Sequence, residues 1–216
     1  MKAFDYLAEL LCPNSCCCCK DVLYPEDELG FCNECYENLK LRVIDVSKDL
    51  KCKYIDNYYF YFRYDSWYVK HLIRHAKYVS SKPFLNYIGQ CGQESLKKHN
   101  LLNQIDIITF APRRKREARF YTFDQSMEIA KAFSSKTNIP WEQLLDRKGF
   151  AKAQKKLKSK QRAQNAVGKY KCTRKLNGET VLLIDDVVTT GSTVSECAKL
   201  LKENGAGKVY VWSIAQ

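Results

Sequence analysis

Val181 to Thr193 reads V-L-L-I-D-D-V-V-T-T-G-S-T, and the reading of that stretch decides the fold. Four apolar residues run into two adjacent carboxylates, then into a loop of small hydroxylated residues that opens a helix. An apolar run so short, bounded by turn residues, predicts a strand buried on both faces of a parallel sheet. Asp185 and Asp186 stand at its carboxyl end. Thr189, Thr190, Gly191, Ser192 and Thr193 gather hydroxyls and backbone N–H groups into one bend. A helix beginning there adds unpaired amides and the positive end of its dipole. The combination is an anion cradle, with phosphate its usual occupant.

Two acids beside the cradle argue against a nucleoside triphosphate, and the chain has no G-x-x-x-x-G-K-[ST] run. They suit vicinal hydroxyls next to a phosphate, as in a ribose 5-phosphate. A strand, polar turn and capped helix without a ligand would use the same letters. Adjacent acids at a strand end repel, however, and cost stability unless something uses them. All thirteen positions resemble the phosphoribosyl pyrophosphate (PRPP) signature of type I phosphoribosyltransferases. The resemblance implies an α/β fold with a Rossmann-like parallel sheet. It also implies that Asp185 and Asp186 hold the ribose 2- and 3-hydroxyls, that the Thr189–Thr193 loop holds the 5-phosphate, and that Mg²⁺ accompanies PRPP.

The chain's 216 residues allow one such domain plus a small appendage. No run of eighteen apolar residues occurs, and Asp5 and Glu9 interrupt the N-terminal stretch, so a cytoplasmic protein without membrane insertion is expected. Eleven cysteines in a reducing compartment point to metal rather than disulfides. The net charge of +12 is uneven. Residues 1–52 hold 6 basic and 10 acidic side chains, net −4, leaving 30 basic and 14 acidic, net +16, in residues 53–216. That asymmetry favours a polyanionic partner for the larger part.

Cys16-x2-Cys19 and Cys32-x2-Cys35 have the spacing of a four-thiolate zinc site, in which each turn aims two sulfurs at one ion. Residues 1–52 therefore read as a small zinc module folded largely by its metal, with a structural rather than catalytic ion. Cys12 is an alternative to Cys16, while Cys17 and Cys18 are expected inside the turn and facing outward.

Residues 53–64 are aromatic and β-favouring, predicting a strand or hairpin that bridges the module to the main domain. Residues 67–78 predict an amphipathic helix with His71 and His75 on a basic solvated face. Pro83 opens another helix, to about His99. Ile105–Ala111 predicts the first strand of the central sheet, emptying into Pro112, Arg113, Arg114 and three further basic residues by Arg119. Guanidinium forks there would match a pyrophosphate. Residues 147–175 contain twelve Lys or Arg and no acid, among them Lys152, Lys155, Lys156, Lys158, Lys160 and Arg162. Such a stretch is expected to order over a phosphate-rich ligand or nucleic acid. After the central motif, Thr193 and Glu196 form a candidate capping box, and Lys208–Ile214 predicts a final strand.

The order of zinc module, strand, basic loop, helix and PRPP signature resembles the ComF family of competence proteins. Those carry R-G-F-N-Q where this chain has Tyr121-Thr122-Phe123-Asp124-Gln125, matching at Phe123 and Gln125. Gln154, Leu157, Arg162, Asn165 and Gly168 fit the family's Q-x-x-L…R-x-x-N-x-x-G segment, whose counterpart in phosphoribosyltransferases is a mobile flap. The resemblance implies a role in natural transformation on imported single-stranded DNA, alongside DNA-uptake proteins. The alternatives are a phosphoribosyltransferase with a small-molecule acceptor in nucleotide metabolism or salvage, and a non-catalytic PRPP-sensing, nucleic-acid-binding protein.

Overall fold

A computed structural model describes residues 15–24, 30–78, 81–112, 124–147 and 170–216. The predicted buried strand is β6 (Thr180–Val187), flanked by β7 (Lys208–Ala215) and β3 (Ile107–Phe110), both parallel to it. Its parity sorts two cores. Leu182 and Ile184 face one side with Ile108, Phe110, Tyr210 and Trp212. Val181 and Leu183 face the other with Ile107, Val209 and Val211. Both faces are buried because helices cover both, as the absence of polar alternation requires.

The five-stranded sheet runs β1-β2-β7-β6-β3, with β1 (Val43–Lys48) antiparallel to β2 (Asn57–Phe62) and β2 parallel to β7. The aromatic stretch is thus one strand inside the sheet rather than a bridge to it, and Tyr58, Tyr59, Phe60, Tyr61 and Phe62 are all buried. Ile105–Ala111 likewise differs from expectation. Its strand is the third in chain order and lies at the sheet's edge. Segments 43–48 and 57–62 supply the two strands before it, and their aromatic or mixed letters give no parallel-strand signal.

One face carries α2 (Trp67–Tyr78), α3 (Lys82–Lys98) and α4 (Gln125–Thr137). The last two approach closely at glycines, where a Cβ on Gly92 would stand 2.0 Å from the Phe133 ring. The short α1 (Asn33–Lys40) and Cys16, Cys17 and Cys18 join the same core. The opposite face carries α5 (Ser192–Glu203) through Val194, Cys197, Ala198 and Leu201. A two-stranded ribbon, β4 (Leu145–Arg147) with β5 (Tyr170–Cys172), packs there through Leu145 and Tyr170.

Segment 53–216 contributes four of the five main strands. Segment 1–52 contributes the cysteine turns, α1 and β1. The segment 148–169, with Lys152, Lys155, Lys156, Lys158, Lys160 and Arg162, lies outside the described residues, as do Arg113, Arg114 and Cys12.

Candidate active site and metal centre

Parallel pairing brings two strand ends together. Phe110 is level with Ile184, and the Ala111 amide donates to the Ile184 carbonyl at 3.0 Å. Pro112 therefore stands beside Asp185 and Asp186, although 73 residues of chain separate Pro112 from Asp185. Each acid accepts from the next backbone N–H: Asp186 N–H to Asp185 Oδ1 at 2.9 Å, and Val187 N–H to Asp186 Oδ1 at 2.8 Å. Burial and the neighbouring Asp186 carboxylate push the Asp185 carboxyl well above the usual carboxylate range. Adjacent oxygens in that condition call for hydroxyl donors or a hard cation; Mg²⁺ bound with a hydroxylated ligand fits this donor set.

Support for Asp185 comes from residues with no sequence signal of that role. The Ser126 hydroxyl donates to Asp185 Oδ1 at 3.4 Å from the first turn of α4. Asp124 caps that helix, accepting from the amides of Ser126 and Met127. The change from the ComF asparagine to aspartate at this position keeps a capping side chain. On the other flank Ser213 is level with Asp185, and Tyr58 donates to Ser213 Oγ at 2.7 Å while Ser213 donates to the Ala215 carbonyl. Tyr58 lies in an aromatic run that reads as core, and Ser126 and Ser213 carry no motif.

The loop beyond Val188 turns through Gly191, whose φ of +74° is the left-handed conformation that glycine adopts without strain. Gly191 is also the N-cap of α5 and provides no capping side chain. The expected Thr193–Glu196 capping box is therefore corrected: the helix starts at Ser192, so Thr193 lies inside its first turn and cannot cap it. The α5 amides are left facing a small polar concavity lined by Asp185 and residues 187–194. Thr190 accepts from the Ser192 amide at 3.5 Å, and Ser192 and Thr193 are exposed at its rim. An anion would find the Thr193 and Val194 N–H groups, unpaired among the described residues, and the helix dipole there.

The second site is the cysteine cluster. The sulfurs of Cys16, Cys19, Cys32 and Cys35 all lie within 4.8 Å of one another, with Cys19 and Cys32 at 3.7 Å. Thiolates about 2.3 Å from a tetrahedral zinc stand about 3.8 Å apart, so the spacing fits that ion. The amides of Cys18 and Cys32 each donate to Cys16 Sγ at 3.4 Å. Against the opposing effect of burial, those amides bring the Cys16 thiol below its ordinary value. Burial and crowding raise Cys35 and push Cys19 up to about 12, so the full thiolate set calls for a cation.

Two expectations about this module are corrected. Cys17 and Cys18 do not face outward. Both are buried, with Cys17 Sγ 3.6 Å from Ser81 Oγ and Cys18 Sγ 3.6 Å from the Tyr68 carbonyl. Because all four ligands point at one another, the residues between them are turned into the core. Nor is His75 on a solvated face. It is buried, its Nδ1 accepts from Lys20 at 2.9 Å, and its Nε2 meets Ser81 Oγ at 3.0 Å. Burial and the Lys20 charge lower it to about 4. His71 instead stacks on the exposed Trp67.

The family-model match agrees with this architecture. Residues 126–214, from the first turn of α4 to the end of β7, match the family model of the phosphoribosyl transferase domain. Over 95 residues the chain is 33% identical to the DNA utilization protein YhgH of Escherichia coli (strain K12), 44% of this chain and 42% of that protein. It thus spans less than half the length of the curated relatives it matches there. A 39-residue segment is 44% identical to the ribose-phosphate pyrophosphokinase of Thermoplasma acidophilum, covering 18% of this chain and 14% of that protein. Among solved structures, glutamine PRPP amidotransferase from B. subtilis is 21% identical, covering 65% of this chain and 30% of that one at a TM-score of 0.46.

The fold is that of the phosphoribosyltransferase class, and the matched segment carries its phosphoribosyl transferase domain. With the N-terminal four-cysteine cluster added, the chain resembles a ComF-like phosphoribosyltransferase. Among the described residues no helix is long and apolar enough to cross a membrane.

Proposed function

We propose that this protein binds PRPP with Mg²⁺ at the carboxyl end of β6 and acts in the cytoplasm on imported single-stranded DNA during natural transformation. The observation that carries the reading is the convergence of paired acids, an uncapped helix start and the end of β3 at one corner. Asp185 and Asp186 would accept from the ribose 2- and 3-hydroxyls, with Ser126 holding the first acid in place. The loop Thr189, Thr190, Gly191, Ser192 and Thr193 would seat the 5-phosphate on α5 amides. Pro112, Arg113 and Arg114 would meet the pyrophosphate. Mg²⁺ supplies charge neutralisation of that leaving group when bound. Displacement at the anomeric carbon then needs orientation, charge compensation and exclusion of water more than covalent help from side chains. If turnover occurs, Asp185 and Asp186 act by orienting the ribose.

The charge of +16 on residues 53–216 supports a polyanionic partner. The printed name of the relative in Escherichia coli, a DNA utilization protein, supports DNA as that partner. Lys152, Lys155, Lys156, Lys158, Lys160 and Arg162 would then contact the strand, and DNA-uptake proteins would be its cellular neighbours. A structural Zn²⁺ on Cys16, Cys19, Cys32 and Cys35 would hold the N-terminal module.

Calorimetric titration of PRPP and Mg²⁺ into the wild type and into Asp185→Asn/Asp186→Asn tests the cradle. Binding by the wild type and not the variant is expected; equal binding by both would remove these acids from the site. DNA handling is tested by single-strand affinity against salt, with charge-neutralising substitutions at the six basic residues. A salt-steep affinity that falls in the variant is expected, and an unchanged affinity would reject that segment.

A further inference from the structure

The Thr189–Thr193 loop has two demands to meet at once. Its amides must stay free for an anion, and the turn that presents them must be held still. A capping side chain would hold the turn but would occupy an amide. Gly191, at the N-cap of α5, provides none. Behind that turn stands Leu50. A Cβ built on Gly191 would lie 3.7 Å from each Leu50 methyl. Leu50 also packs against the core that contains Val188 and Val194, the residues on either side of the loop. The turn is thus backed by an apolar contact that takes none of its N–H groups.

Leu50 belongs to the connection between β1 and β2, residues 49–56, and that connection is fastened along α5. At its far end Asp56 Oδ2 accepts from Lys202 Nζ at 2.8 Å and from the Val209 amide at 2.7 Å. The Asp56 amide donates in turn to the Val209 carbonyl at 2.9 Å. Midway, Lys199 lies over the Tyr54 ring, its Nζ 6.0 Å from the centroid. At about 100° per residue, Gly191, Lys199 and Lys202 fall on one side of the helix. The strap therefore follows α5 from its last turn back to its start, where Leu50 meets Gly191. Lys51 shapes that end. Its φ of +52° is a left-handed conformation that side chains rarely adopt, and its amide donates to Asp49 Oδ1 at 2.7 Å. A strained residue, held by a local hydrogen bond and directly after the residue that touches the loop, marks a backbone path set by where Leu50 must stand.

We propose that Leu50 is a positioning residue of the phosphate cradle: it holds the Gly191 turn from behind, so that the Thr193 and Val194 amides face the 5-phosphate while staying unpaired. This rests on the cradle reading above and adds to it a residue that precedes the matched segment 126–214. The cradle is then a joint product of that segment and the connection that follows β1.

The test uses the full chain loaded with zinc, and calorimetric titration of ribose 5-phosphate and of PRPP with Mg²⁺. Leu50→Ala is expected to weaken both ligands alike by roughly 10- to 100-fold, about the loss of one hydrogen bond to a charged group. Leu50→Met, which conserves volume, is expected to restore most of that affinity. Leu200→Ala removes a partly buried leucine from the same core and the same helix, away from the loop. It should lower the melting temperature comparably and leave both affinities within about twofold. Wild-type affinity in Leu50→Ala, no recovery in Leu50→Met, or an equal loss in Leu200→Ala would overturn the positioning role and leave the cradle standing. If Leu50→Ala does not fold, Leu50→Val takes its place, with a loss of about fourfold expected for one methylene and an unchanged affinity overturning the role. Failure of both ligands to bind the wild type would instead remove the cradle reading itself.

Discussion

The cysteine cluster and the aspartate corner both gather negative charge, but they are built at different ranges. Cys16, Cys19, Cys32 and Cys35 lie within twenty residues, and the backbone amides of Cys18 and Cys32 already point at Cys16. Asp185 is held by Ser126 on a helix 59 positions away and stands level with Ser213, which Tyr58 reaches from another strand. A metal centre can be assembled from local turns because the ion supplies the long-range part of the energy. The sugar-phosphate site proposed for the aspartate corner has no such organiser until the ligand arrives, so the sheet must hold its parts.

The strongest way to break this contrast is to remove the zinc proposed for the cysteine cluster. Apparent binding free energies of structural zinc run to about 10–16 kcal/mol, so chelation or Cys32→Ser should unfold the module. The expected result is loss of one zinc per chain and a large fall in melting temperature, read by elemental analysis and calorimetry. An unchanged melt would mean that burial of Cys16, Cys17, Cys18 and Phe31 against α3 suffices without metal.

Next in size is the double change Asp185→Asn/Asp186→Asn. Two charge-assisted contacts to hydroxyls are worth enough that PRPP affinity should fall roughly 10²–10⁴-fold. The unliganded protein should melt higher, because a repelling pair has been neutralised. The pH dependence has a definite sign. A carboxyl whose folded pKa lies above the ordinary 3.8 binds its proton more tightly when folded. Its destabilising effect is therefore absent below pH 3.8 and grows as pH rises through the folded value. Asp185→Asn should flatten that part of the unliganded stability curve; a curve of unchanged slope would deny that Asp185 is strained.

A third change sharpens the contrast from the packing side. Gly92→Ala puts a methyl into the Phe133 ring between α3 and α4, and overpacking of this kind costs about 1–3 kcal/mol or more. Since α4 carries Ser126, PRPP affinity should weaken along with stability while zinc content stays whole. Loss of zinc with it would show that the two regions are not independent.

The smallest effect is expected at Gly191. Alanine there meets only ordinary contact with Leu50, so the cost is the left-handed backbone, about 1–2 kcal/mol. Phosphate affinity should drop with a modest loss of melting temperature. An affinity equal to wild type would show that the loop adapts without its glycine.

Much of both sites was legible in the letters. V-L-L-I-D-D-V-V-T-T-G-S-T identified β6, the paired acids and the helix start because each is a local pattern: an apolar run, a charge pair, a small-residue bend. The cysteine spacing identified the four sulfurs for the same reason. The errors fell where local pattern and tertiary packing part company. Thr193 and Glu196 have capping-box spacing, but the chain turns at Gly191 and starts the helix two residues too early for Thr193 to cap it. His75 sits on a helix rich in Lys and Arg, but that turn of α2 faces Lys20 and Ser81.

From its sequence alone this protein was committed to a parallel strand ending in two acids and to a four-thiolate turn pair, since backbone geometry and charge act over a few residues. Only the tertiary structure decided that β7 and β3 would be the neighbours of β6, that Ser126 would reach Asp185, and that Cys17 and Cys18 would point inward. Those outcomes depend on which apolar faces meet across the sheet, and burial is a property of the whole chain that no short stretch encodes.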